Sequence, residues 1–410
     1  MEKVSEVPFS SARRKVHKLQ FLKDVFLLAI TAFGGPQAHL AMFIKTLVKE
    51  KKYLSEAEFL EINSLCNMLP GPTSTQMITA IGLRLGGAVF AFTTLLVWML
   101  PASVCMTLLV MLLHMVDRRS LSMDFVKFVP AMAVGFLAAA AIRMSQAVIK
   151  NRVTLILVAL SAVIGVWLNS PYTFPFIIIG GGIVTNFTNQ EFLKEPLTGV
   201  KIPWRFLAIF FGVLFFAAIV GKITRYRPVL LFENMYHFGS LVFGGGNVLV
   251  PMMYEQFVNF KKYLTPAEFA TGYGFVQALP GPVFSLSTYT VGMAMQDFGL
   301  GGRLVGCLIG TVAIFLPGTL LILFFYPIWQ QVKKYPVFRK SLEGLNSSAA
   351  GLIIAATVML FIPILEPFNR NPDLFGKSML VFGVTLLLVL FTKIKSPFIV
   401  IAVVLTGLFW

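Results

Sequence analysis

The sequence predicts an all-α polytopic membrane protein built of two homologous helical repeats of inverted topology, with helices broken at Gly/Pro motifs. Three observations predict it. The first is composition. Hydrophobic residues make up 57% of the 410 residues and charged residues only 13%; the mean hydropathy is +0.81. A soluble chain carries roughly 25% charged residues to cover its surface. Half that supply cannot solvate a globule of this size. The second is the recurrence of apolar runs of about 20 residues along the whole chain, which is the patterning of helices rather than of a barrel. The third is an internal duplication.

The apolar runs lie near 21–43, 59–83, 86–115, 128–148, 153–169, 174–188, 204–221, 229–257, 268–295, 302–328, 345–365, 378–392 and 397–410. Read as spans, they make about 13 crossings. The first 20 residues are polar and basic and lack the apolar core and cleavage site of a secretory signal, so the first helix is expected to direct insertion. The Lys/Arg excess in alternate loops favours a cytoplasmic N-terminus. The net charge of +16 comes from short clusters between apolar runs, not from a basic stripe, so no nucleic acid is expected. Cys66, Cys105 and Cys307 sit inside apolar stretches without metal-ligand spacing, and neither a disulfide framework nor a metal site is expected.

The duplication is ungapped at an offset of 210 from Phe33 to Pro72, where 16 of 40 positions are identical. FGGPQAHLAMF (33–43) pairs with FGGGNVLVPMM (243–253), KKYLSEAEF (51–59) with KKYLTPAEF (261–269), and NMLPGP (67–72) with QALPGP (277–282). WMLP, ending at Pro101, pairs with IFLP, ending at Pro317. The domains expected are an N-terminal repeat (1–200), a linker with one connecting helix (201–228) and a C-terminal repeat (229–410). An even number of crossings per repeat plus one connecting crossing inverts the second repeat relative to the first, an arrangement common in secondary transporters.

The two LPGP motifs should each end one half-helix and begin another, because proline cannot continue a helix but suits its first turn. A helix starting at Pro72 or Pro282 presents unpaired N–H groups and a partial positive charge at membrane depth, a ready anion site. Pro70, Gly71, Pro72, Pro280, Gly281 and Pro282 are therefore candidate binding residues, joined in the first repeat by the side-chain donors Thr73, Ser74, Thr75 and Gln76. The second repeat is more apolar there, with Val283 and Phe284. The FGG motifs mark a second pair of breaks, with Gly34, Gly35 and Pro36 in one repeat and Gly244, Gly245, Gly246 and Asn247 in the other; small-residue helix packing is the alternative reading of the same glycines. Among ionisable residues at membrane depth, Arg84 lies about three turns after Pro72, placed to line the pathway or sit at its mouth, and is the expected nearby cation. His39, directly after the FGGP break, and Glu255 are candidates for proton coupling. No nucleophile elbow, Walker loop or HExxH appears, so no catalytic residue, enzyme activity or cofactor is expected.

At these motifs the sequence resembles the chromate ion transporter family, long-chain type. The matching residues are FGGPQAH (33–39), NMLPGPTSTQ (67–76) with Gly82 and Arg84, and WMLP (98–101); then FGGGNVLVP (243–251) with Glu255, ALPGP (278–282), Gly292 and AIFLP (313–317). The second repeat departs from the first with Leu249 opposite His39 and Gly246 opposite Pro36. The resemblance implies an inner-membrane transporter of chromate, with sulfate as a similar dianion; because a cell negative inside favours the exit of a dianion, export driven by the membrane potential, with inward protons as a second drive, and chromate resistance are expected. The partners implied are that oxyanion, the lipid bilayer and a second copy of the chain in a homodimer. A passive anion channel and a transporter of another oxyanion are the alternatives.

Overall fold

The computed structural model describes residues 17–33, 35–118, 124–168, 173–187, 202–243, 246–329, 336–365 and 371–409. Among them there is no strand. The first repeat comprises α1 (Lys18–Thr31), α2 (Gly35–Phe43) with a π-helical continuation (Ile44–Glu50), α3 (Glu56–Met68), α4 (Thr73–Arg118), α5 (Val129–Val148), α6 (Arg152–Trp167) and α7 (Thr173–Phe187). The connecting helix is α8 (Trp204–Thr224). The second repeat has α9 (Arg227–Leu241), α10 (Gly246–Tyr254) with a π-helical continuation (Glu255–Phe260), α11 (Pro266–Val276), a 3₁₀ turn (Val283–Ser285) running into α12 (Leu286–Ala294), α13 (Gly299–Phe325), α14 (Pro336–Leu365), α15 (Pro372–Phe391) and α16 (Ser396–Phe409).

The duplication extends to the backbone. Gly71 and Gly281 sit at φ 119° and 102°, Lys52 and Lys262 both at 52°, and Gly87 and Gly299 at 81° and 67°. A capping box opens α3 (Ser55 with Glu58) and another opens α11 (Thr265 with Glu268), each satisfying two N–H groups that a helix start leaves unpaired.

Four of the runs read above as spans fold back on themselves. The KKYL loop after α2 returns to the beginning of α1: Lys51 Nζ lies 3.2 Å from Asp24 Oδ1, the Tyr53 hydroxyl donates to Asp24 Oδ2 at 2.5 Å, and the Phe21 and Tyr53 rings are 5.1 Å apart. The same holds for α3 and the first limb of α4, where Arg84 meets Glu58 at 2.5 Å. In the second repeat Arg227 gathers the corresponding ends, stacking over the Tyr263 ring at 5.1 Å and pairing with Asp297 at 2.6 Å. α1 has 14 residues and α3 has 13, about 20 Å at 1.5 Å per residue. The meeting of these ends shows that the chain turns back at the Gly/Pro break.

α4 is itself two antiparallel limbs. Gly87, at φ 81° and ψ −173°, reverses the chain, and Trp98 Nε1 donates to Thr75 Oγ1 at 3.1 Å. In a straight helix those residues would stand about 35 Å apart. Among the described residues six helices are long and apolar enough to cross a membrane, and 152–167, 173–187 and 396–409 form three shorter apolar ones. Removing four hairpins from about 13 runs leaves the second limb of α4, α5–α8 and α13–α16 as the crossing set. The inversion survives, because each repeat loses two crossings and parity is unchanged.

The two repeats interlock through the long helices. Gly165 of α6 packs on Leu352 and Ala355 of α14, and Gly182 of α7 on Leu345. Reciprocally, Gly135 of α5 packs on Phe382 and Thr385 of α15, and Arg143 donates to the Val389 carbonyl. Each long helix thus lies along the final helices of the opposite repeat.

Candidate functional site

The break loops of the two repeats cross at the centre of the molecule. The Gly71 N–H donates to the Val242 carbonyl at 2.7 Å, and the Gly281 N–H donates to the Ala32 carbonyl at 2.9 Å. These bonds are equivalent under the duplication: the LPGP loop of each repeat caps the helix that ends before the FGG motif of the other. The LPGP loops also rest on the helices after WMLP and IFLP, where a Cβ on Gly71 would lie 3.3 Å from Gly318 Cα and one on Gly281 would lie 3.3 Å from Ala102 Cβ. Sequence reasoning paired WMLP with IFLP but assigned neither a role. Their residues Trp98, Ala102 and Gly318 prove to be the wall behind the breaks, a long-range relation that a motif cannot display.

The hydrogen bonding at the breaks is asymmetric between helix ends. Carbonyls at the ends of the incoming helices are occupied: Ala32 by Gly281, Val242 by Gly71, and Pro70 by Gln76 Nε2 at 2.7 Å. The outgoing helices keep open first turns. The first internal bond of α4 runs from the Gln76 N–H to the Pro72 carbonyl at 2.9 Å, which leaves the N–H groups of Thr73, Ser74 and Thr75 ahead of it. After Pro282 the first is Ser285 N–H to the Pro282 carbonyl at 3.0 Å. The other two outgoing helices, α2 and α10, start beside these: His39 reaches Ser74, and Gly246 packs on Val283.

Three of the four side chains expected as donors are engaged within the protein. Ser74 Oγ meets His39 Nδ1 at 3.1 Å, Thr75 accepts from Trp98, and Gln76 is turned back on Pro70. All three are buried. His39 is buried as well, and its Nε2 donates to the Ala32 carbonyl at 3.2 Å. Ala32 therefore accepts from both His39 and Gly281.

Two expected site residues, Arg84 and Glu255, stand away from the breaks, and three expected glycines lie outside the described residues. Arg84 is not beside the breaks. It lies eleven residues into α4, about 16 Å along the axis, where it bonds Glu58 at 2.5 Å and the Tyr53 carbonyl at 3.3 Å. A glutamate near the start of α3 pairs with it, so it closes the hairpin tip. Arg84→Gln should lower stability by about 1–3 kcal/mol, the range for losing a charge-assisted bond, read as a drop in thermal unfolding temperature of the purified protein. Glu255 is buried in the π-helical turn beyond α10, where Asn259 Nδ2 donates to it at 2.6 Å; nine residues separate it from Gly246, about 14 Å. Gly34, Gly244 and Gly245 lie outside the described residues, as do the side chains of Pro36 and Asn247.

Comparison with known proteins agrees with the duplication. The family model described as "Chromate transporter" matches residues 19–186 and again 229–408. The chain is 26% identical to an uncharacterized transporter of Methanocaldococcus jannaschii, over 87% of this chain and 88% of that one. It is 25% identical to a chromate transport protein of Pseudomonas aeruginosa, over 95% and 90%. An uncharacterized transporter of Bacillus subtilis is 26% identical over 44% of this chain but 94% of its own length, so that relative is the size of one repeat. No solved structure matches the chain.

Proposed function

The chain belongs to the chromate transporter family, and from that premise we propose that it is a secondary carrier exporting chromate, with sulfate as a similar dianion. Its driving force is the membrane potential, the proton gradient or both, and its cellular consequence is chromate resistance. Residues 1–200 and 229–410 act as the two halves of one carrier, joined by 201–228. One observation carries the reading: four outgoing half-helices begin at the crossed breaks, while carbonyls at three of the four incoming ends, Ala32, Pro70 and Val242, are hydrogen-bonded away. Each helix start contributes about half a positive charge, so four together approach the charge of a dianion. The donors are the open N–H groups after Pro72 and Pro282 and those at the starts of α2 and α10. Ser74, Thr75 and Gln76 hold the first of these in place.

With hairpins returning to the side they enter from, roughly two-thirds of the 34 Lys and Arg fall on the N-terminal side. This supports a cytoplasmic N-terminus in the inner membrane. Single cysteines at Lys51 and Lys261 should then label from opposite sides with an impermeant maleimide. Labelling of both from outside intact cells overturns the inverted arrangement.

Uptake of radiolabelled chromate into proteoliposomes tests the function. Saturable uptake with counterflow is expected. Flux that is linear in concentration and shows no counterflow identifies a channel, and no flux above protein-free liposomes rejects transport.

A further inference from the structure

We infer that His39 couples a proton to the anion through the Ser74 hydroxyl, so that the two bind together. This rests on the anion site proposed above. The geometry allows one neutral form of the ring. Nε2 faces the Ala32 carbonyl at 3.2 Å and must carry a hydrogen. Nδ1 is then a bare acceptor, and Ser74 donates its hydroxyl hydrogen to it across 3.1 Å. Protonation of Nδ1 reverses that bond without moving a heavy atom: the ring now donates to Ser74 Oγ. The Ser74 hydrogen is released and can turn toward the open first turn of α4, where the Ser74 N–H already points. One proton on the ring thus becomes one more donor at the helix start.

The surroundings make the coupling favourable only in one direction. His39 is 1% exposed. The groups recorded against it are the Ala32 carbonyl from α1, Ser74 from the first limb of α4, the Trp98 ring from the second limb at 5.4 Å, and Phe43 from its own helix at 6.2 Å. None of these is titratable or charged. A buried imidazolium there is costly without a counter-charge, and a dianion at the helix starts supplies one. Binding free energies are reciprocal, so an anion that favours the proton is itself favoured by the proton. The second repeat carries Leu249 at the matching position, so there is one such switch per chain. The proton then travels with the anion, each cycle moves one net negative charge instead of two, and of the two driving forces named above the membrane potential is the one that remains.

The test is binding of selenate, a tetrahedral dianion whose charge is constant across the neutral range, to the full-length protein in nanodiscs between pH 5.5 and 8.5, with proton uptake followed by a pH-indicator dye. Chromate at pH 8.5 serves as the reference ligand. Expected are affinity that tightens as pH falls, by up to about tenfold per pH unit, the limit for one linked proton, and uptake of up to one proton per anion bound. His39→Gln, which can still donate to Ala32 and accept from Ser74, should bind with a flat pH profile and no proton uptake. Ser74→Ala should flatten the profile with the histidine present, while Glu255→Gln should keep it. Wild-type binding that is independent of pH overturns the coupling and leaves the anion site standing. A profile lost in Glu255→Gln and kept in His39→Gln assigns the proton elsewhere and overturns it too. Failure of both selenate and chromate to bind at any pH overturns the site itself, and the coupling with it.

Discussion

Gly71→Ala should reduce chromate flux by at least about tenfold. The backbone there stands at φ 119°, a region an L side chain enters at a cost of about 1–3 kcal/mol. The added Cβ would also lie 2.9 Å from Gln76 Nε2 and 3.3 Å from Gly318 Cα. Relief of either contact moves the LPGP loop, which carries the 2.7 Å bond to the Val242 carbonyl and sets the start of α4. A loss of 1.4 kcal/mol is already a factor of ten. Gly281→Ala shares the positive φ, 102°, but its nearest neighbours would be Ala102 Cβ at 3.3 Å and Ala29 O at 3.6 Å, so its effect should be smaller. Gly87→Ala meets nothing within 4 Å and carries only the strain of its φ. The ranking 71, then 281, then 87 is read from flux in proteoliposomes at matched incorporation. Wild-type flux and unfolding temperature in Gly71→Ala would show that the crossed loops do not define the site.

Inside-out vesicles with an imposed potential of 100 mV, lumen positive, and equal pH on both sides should accumulate chromate and lose it when the potential is collapsed. Each elementary charge moved gains about 2.3 kcal/mol per 100 mV. A dianion moving alone gains about 4.6 kcal/mol and reaches an accumulation ratio of about 10³. With one proton beside it the net charge is one, and the ratio falls to about 50. The plateau therefore reads the stoichiometry. Accumulation that survives collapse of the potential and is instead sustained by a pH gradient alone would make the cycle electroneutral. The buried carboxylates that import would need to bind compensating cations are few: Glu255 is held by Asn259, and Asp24 is already paired with Lys51 and Tyr53.

Much of this molecule was legible in its residues. Proline and glycine act on the backbone locally, so LPGP and FGG marked the breaks without knowledge of neighbours. Ungapped identity at one offset revealed the duplication. Membrane residence followed from the lack of charge. The hairpins were hidden, because hydropathy is the same for a helix that crosses and for two limbs that enter and return. Only the meeting of Tyr53 with Asp24, and of Trp98 with Thr75, separates the two cases. The partner of Arg84 was hidden for a related reason: three turns along a helix is a distance from the break, and Glu58 lies on another limb.

The sequence by itself determined that the chain is a duplicated membrane protein with four helix breaks, since those properties depend on local chemistry and on comparison of the chain with itself. Tertiary structure alone decided which break caps which, with Gly71 on Val242 and Gly281 on Ala32. It also decided that Ser74 faces His39 and that Arg84 closes a hairpin tip. Those are choices among partners distant in sequence, made by packing and by the need to pair every buried polar group where no water can do so.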